Sequence, residues 1–144
     1  MGWNITDVGE LEDAILNLKL KLARKTGIRA GMTVVDMGCG QGGFTTALAK
    51  TVGEQGKVLA VDVSDEYVTG EFTERLEKYG VRNIVTFIQA DAANLKGVLS
   101  DGVADVVASY RFLEELKQPK TMGKIIREMA RIVKEDGGVC VIEM

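Results

Sequence analysis

The chain has 144 residues, 46% apolar and 27% charged, with a formal net charge of -3. That suffices for one compact domain, is short for two, and with Lys and Arg scattered does not favour nucleic acid as an obligatory partner. The absence of histidine excludes a Ser-His-Asp triad, histidine-ligated zinc and histidine as general base.

The first predicted element is a helix over 7–25, with Val8, Leu11, Ile15, Leu18 and Leu22 at three- and four-residue spacing. Asp7 with Glu10 can cap its start, and Gly27 after Arg24 and Lys25 marks its stop. The apolar stripe is expected to pack on the core; a lid or a membrane-surface helix is the other reading. Strand and helix then alternate: a strand over 32–37, a helix over 44–52 stopped by Gly53, and a strand over 57–64. Ser64 is expected to cap a helix over 65–79 that Gly80 closes. Further strands are expected over 84–91, 104–110 and 138–144. Pro119 opens the last helix, which runs through 125–133 with Gly137 after it. Val- and Ile-rich strands alternating with helices predict a doubly wound α/β fold with a mainly parallel sheet. One domain spans 1–144: an N-terminal helix (1–27) and a Rossmann-like core (28–144).

Chemistry concentrates in the turn after the first strand. Gly38, Gly40 and Gly43 form a G-x-G-x-x-G between strand and helix, and Asp62 ends the next strand about twenty residues on. An acid there can accept two ribose hydroxyls, so a nicotinamide dinucleotide is one candidate ligand. Asp36, two residues before the first glycine, argues against it, because a pyrophosphate beside an unpaired carboxylate is repelled. S-adenosylmethionine carries no phosphate. Its ammonium suits the acid and its carboxylate suits the helix start. The charge pattern therefore favours the sulfonium cofactor.

The stretch VVDMGCGQG (34–42) resembles motif I of the class I S-adenosylmethionine-dependent methyltransferases, and the similarity continues from about residue 27 along nearly the whole chain. VLAVDVS (58–64) resembles the family's second motif, FIQADAANL (87–95) the third, and ADVVASYRFLEEL (104–116) the fourth-strand motif. MARIVKEDGGVCVIE (129–143) resembles the helix, turn and fifth strand that follow. The nearest flavour is the small-molecule branch that includes ubiquinone and menaquinone biosynthesis methyltransferases. The resemblance implies cofactor contacts from Asp36, Gly38, Cys39, Gly40, Gln41 and Gly42. It implies a ribose contact from Asp62 with Val63 beside it, and adenine contacts from Asp91 and the Ala92 amide. Ser109 joins them on the strand passing under the methionyl end. Cys39, between two glycines, is expected to serve through its backbone and not as a reactive thiol.

Methyl transfer is an in-line displacement that chiefly requires alignment and exclusion of water. Any general base must come from Tyr, Asp, Glu or Lys. Tyr110 and Arg111, near the switch point of the sheet, are candidates to orient an acceptor. The N-P-P-Y sequence of amino-methylating relatives and the Pro-Cys nucleophile of cytosine-C5 enzymes are both absent, which favours a small-molecule acceptor. Cys39 and Cys140 lack metal-ligand spacing and read as free thiols of a reducing cytoplasm. No metal is expected, and no apolar run reaches the ~18 residues of a membrane span.

The family's usual sheet has seven strands. The fifth ends this chain at Met144, so five strands in the order 3-2-1-4-5 are expected, without the C-terminal hairpin. A bare apolar edge results, for which three explanations stand: a fragment of a longer protein, a natural minimal form, or, favoured among them, a homodimer covering that edge or the fifth-strand face. Two other functions stay open at this point: a non-catalytic module that binds the cofactor or its nucleoside, and a nicotinamide-dependent dehydrogenase.

Overall fold

The computed structural model describes residues 8–142. Five parallel strands form one sheet in the order β3-β2-β1-β4-β5, as the alternation predicts. They are β1 (Thr33–Met37), β2 (Lys57–Asp62), β3 (Val85–Gln89), β4 (Ala104–Tyr110) and β5 (Val133–Ile142). Four helices complete the fold: α1 (Val8–Lys25), α2 (Gly43–Val52), α3 (Glu71–Lys78) and α4 (Pro119–Ile132). Asp7, the expected cap, and the last two residues of the expected fifth strand lie outside the described residues.

Period-two alternation divides the strand side chains between two apolar layers. One face sends Val34, Val58, Ala60, Val106 and Ala108 against α1, α2 and α3. The other sends Val35, Leu59, Val61 and Val107 against Ile125, Met129 and Ile132 of α4. With both faces covered, the central strands read as nearly continuous apolar runs. β1 sits between β2 and β4, so the chain reverses its winding beside β1. A crevice opens there beyond the carboxyl ends of the strands.

Three expectations need correction. The first helix buries Leu16 and Ala23, not the predicted stripe: Val8 and Leu18 are 78% and 59% exposed, and Leu11 and Ile15 are exposed too. Tertiary contact has selected a second stripe, Leu16, Leu20 and Ala23, which packs in the same apolar layer as α2.

The second correction concerns Ser64. Its hydroxyl accepts from the Glu66 amide, making a local turn instead of a helix cap, and α3 starts only at Glu71 after Gly70. Successive turns over 65–70 contain the β-branched pair Val68 and Thr69 followed by glycine, a poor helical run. Lastly, α4 ends at Ile132 and passes into β5 without a loop. β5 then bulges: Val133 pairs with Ala104, but Gly138 pairs with Val106. Gly137 lies so near the Asp105 carbonyl that a Cβ there would stand 2.5 Å from the oxygen. The regular ladder from Gly138 onward is the part the sequence predicted.

Candidate functional site: a cavity over the glycine turn

The crevice holds a cavity of about 810 Å³, within the range usual for small-molecule sites. Its floor is the turn between β1 and α2, and α1, α3 and the segment after β4 supply its walls.

Asp36 occupies the end of β1. It is 1% exposed yet lines the cavity, and Oδ2 accepts a 2.6 Å hydrogen bond from the Thr45 hydroxyl. Burial is the largest influence on its carboxyl and pushes it up to about 6. The Thr45 hydrogen bond opposes that rise, and the nearby Asp62 charge adds to it. The Lys19 charge also opposes the rise, yet no Lys or Arg among the described residues forms an ion pair with this carboxylate.

The loop itself spends its amides internally. The Gly38 and Cys39 N–H groups both donate to the Val61 carbonyl, Gly40 N–H donates to Asp62 Oδ2, and Gly42 N–H donates to the Cys39 carbonyl. These four donors therefore make no cradle for a phosphate. Gly42 adopts φ +84, where an L side chain is strained, and a Cβ there would stand 2.7 Å from the Phe72 ring. Cys39 lines the cavity with a buried thiol whose pKa is raised, chiefly by burial and also by Asp36 and Asp62. It is a protonated thiol at neutral pH, in keeping with a backbone role.

Asp62 is held from both sides. Its Oδ2 accepts from Gly40 and its Oδ1 from the Ser64 amide at 3.0 Å. Each oxygen retains a further lone pair for an incoming hydroxyl. Val63 beside it is 70% exposed and lines the cavity, as does Gln41, whose carbonyl accepts from Arg75.

Other predicted residues fall outside the wall. Asp91 is exposed past the end of β3, where Oδ1 accepts from the Ala93 amide, and Ala92 is buried in the α4-side layer. Neither lines the cavity, nor does Gly42. The Ala90 amide bonds to the Asp62 carbonyl, so Asp91 lies just beyond the Asp62 and Val63 edge. Ser109 does not line the cavity either. Its side chain is fully buried on the Val107 face of β4, away from the cavity, and Oγ has no hydrogen-bond partner among the described residues. Tyr110 and Arg111 do reach the cavity. Tyr110 stacks on Phe44 with centroids 5.0 Å apart. Arg111 takes a left-handed φ of 53, donates its amide to the Ile142 carbonyl and pairs with Glu114.

Sequence reading missed Thr45, Lys19, Tyr67, Arg75 and Tyr79, all brought to Asp36 or the cavity. For Lys19 a signal existed, because it lies three and four residues from Leu16 and Ala23 on the face that α1 buries. The larger Val8-to-Leu22 stripe concealed it.

A parallel 3-2-1-4-5 sheet, a glycine turn before α2 and acids ending β1 and β2 define a Rossmann-like methyltransferase fold. Comparison with known proteins agrees. The methyltransferase domain family matches residues 28–144, and the chain belongs to it. It is similar to the ubiquinone/menaquinone biosynthesis C-methyltransferase UbiE of Salmonella arizonae, 31% identical over 118 residues. That alignment covers 82% of this chain and 45% of the relative, so the chain spans less than half its length. An S-adenosylmethionine-dependent methyltransferase from Aquifex aeolicus superposes with a TM-score of 0.66 at 31% identity, covering 85% of this chain and 67% of that one. Coclaurine N-methyltransferase, solved with N-methylheliamine and S-adenosylhomocysteine, shares the fold at 23% identity, with a TM-score of 0.68 and coverage of 95% and 37%.

The cavity fits the family's cofactor. Asp36 presents a buried carboxylate of the charge an ammonium would require, Asp62 keeps lone pairs that would accept ribose hydroxyls, and the four internally bonded loop amides demand no phosphate.

Proposed function

We propose that this chain transfers the methyl group of S-adenosylmethionine to a small-molecule acceptor. The observation that carries the reading is Asp36: a fully buried carboxylate, bonded to Thr45, facing a cavity over a glycine turn four of whose amides are already bonded. The bound cofactor supplies a methyl group on a cationic sulfur, an electrophile that needs no activation by a metal. The protein's part is placement. Asp36 binds the ammonium, Asp62 with Val63 holds the ribose, and the glycines let the ligand lie against backbone. Asp91 and the Ala92 amide, just beyond that edge, receive the adenine. The Ser109 side chain has no part in this reading.

Tyr110 is the residue best placed to orient an acceptor. Its ring is fixed against Phe44 on the cavity wall, and Arg111 follows at the mouth. Similarity to UbiE supports a small organic acceptor, and the cavity's size agrees. Two free thiols support a cytoplasmic setting, and among the described residues no helix is long and apolar enough to cross a membrane. Exposed Val139 and Val141 on edge strand β5 support a homodimer, which a clean monomer in light scattering at micromolar concentration overturns.

Calorimetric titration with S-adenosylmethionine, S-adenosylhomocysteine and NADH tests the cofactor reading, with Asp62→Ala beside the parent. Micromolar binding of the first two, lost in a folded variant, is expected. Binding of NADH alone would restore the dehydrogenase reading. Transfer of labelled methyl across an acceptor panel then separates an enzyme from a binding module.

A further inference from the structure

Lys19 reaches in from α1, and its Nζ lies where a Cβ on Gly43 would stand 2.5 Å away, 5.2 Å from the centroid of the Tyr110 ring. Among the described residues it makes no hydrogen bond or ion pair with any acid. The other cavity cations are engaged: Arg75 by the Gln41 carbonyl and Glu12, Arg111 by Glu114. A half-buried ammonium carries three donors, and leaving them without acceptors costs free energy. Loss of solvent lowers the Lys19 pKa, the Arg75 and Arg111 charges lower it further, and Asp36 is the acid that offsets them. The Asp36 and Lys19 charges thus act on each other, and both residues line the cavity.

We propose that Lys19 is a binding residue for the carboxylate of the cofactor's methionyl end, paired with Asp36 as binding residue for the ammonium on the same carbon. The inference rests on the cofactor reading above. A zwitterion with both charges on one carbon requires an acid and a base in one site, and both line this cavity at the start of α2, Lys19 against Gly43 and Asp36 bonded to Thr45. Tyr110 and Gly43 hold the ammonium in place: the ring attracts it, and the missing Cβ admits it. The first helix, outside the Rossmann-like core, thereby becomes part of the cofactor site.

The test compares S-adenosylhomocysteine with its decarboxylated analogue, which keeps the adenosine, the sulfur and the amine. Both are titrated calorimetrically into the parent, Lys19→Met and Lys19→Arg, with thermal unfolding as the check on folding. A charge-assisted hydrogen bond corresponds to about 10- to 100-fold in affinity. The parent is expected to prefer S-adenosylhomocysteine by that factor. Lys19→Met should lose the preference by weakening S-adenosylhomocysteine alone, and Lys19→Arg should regain part of it. Equal affinity of parent and Lys19→Met for S-adenosylhomocysteine overturns the role of Lys19 and leaves the cofactor reading intact. So does an equal loss for both ligands, which would assign Lys19 to cavity shape. Failure of the parent to bind S-adenosylhomocysteine overturns the cofactor reading and this inference together.

Discussion

Replacing Asp36 with asparagine should make the protein more stable at neutral pH while disabling its site. The carboxyl rises from an ordinary 3.8 to about 6 because it is buried. A folded-state pKa above the unfolded one means that the folded protein holds a proton the unfolded chain has released. The ionised group then costs stability as pH rises from about 4 through 6, and the full cost, about 3 kcal/mol, is reached above pH 7. At pH 4, with the unfolded group about half ionised, the cost falls to less than about 1 kcal/mol, and it vanishes below about pH 3 where both states are protonated. Asparagine keeps an oxygen to accept the Thr45 hydroxyl but leaves its amide hydrogens unserved, which returns part of the gain. A net stabilisation of about 1–3 kcal/mol at pH 7.5 follows, or about 4–10 °C in Tm for a chain of this size. Paired urea titrations of parent and Asp36→Asn at pH 7.5 and pH 4 measure it, with the difference expected to shrink at the lower pH. A variant less stable than the parent at pH 7.5, or equally stabilised at both pH values, would refute the argument. Cofactor binding should weaken in the same variant, because a neutral amide does not balance an ammonium.

The face that α1 buries is tested by Leu16→Ala against Leu18→Ala. The first should cost about 2–4 kcal/mol and the second under about 0.5 kcal/mol in chemical denaturation. Gly42→Ala combines a left-handed φ with a methyl 2.7 Å from Phe72 and should destabilise by about 2 kcal/mol or more, read as a fall in Tm. Glu128 accepts from the Leu95 amide and from Arg131, which in turn donates to the Leu99 carbonyl and pairs with Asp101. Glu128→Ala should therefore lose about 1.5–3 kcal/mol in urea unfolding and loosen the segment before β4.

Strand order and the glycine turn were legible because they depend on local signals: β-branched runs, four glycines within six residues, and acids at two strand ends. What the sequence concealed depends on partners far away along the chain. Both α1 stripes satisfy helical spacing, and only contact with α2 selects the one with Leu16 and Ala23. Ser64 has a capping side chain, but Asp62 and Glu66 draw it into a turn. The bulge at 134–137 arises where Lys134 pairs with Asp105 and Gly137 passes the Asp105 carbonyl, a meeting no period records. Within the site, Asp36 and Asp62 could be read because strand ends are predictable. Thr45 could not, and the spacing of Lys19 to Leu16 and Ala23 becomes informative only once docking on α2 has selected the buried α1 stripe.

The sheet's central seam also sets a schedule for folding. β1 pairs with β4, and the Thr33 amide meets the Asp105 carboxylate across 72 residues, half of the chain. During synthesis at about 5–20 residues per second, the β1 edge waits several seconds for its partner. In that interval β1, β2 and β3 with their helices can assemble, leaving an unmatched Val-rich rim at the eventual middle of the molecule. Nascent chains of this topology are consequently most prone to stick to one another before residue 110 emerges, and slowing translation there lengthens that exposure.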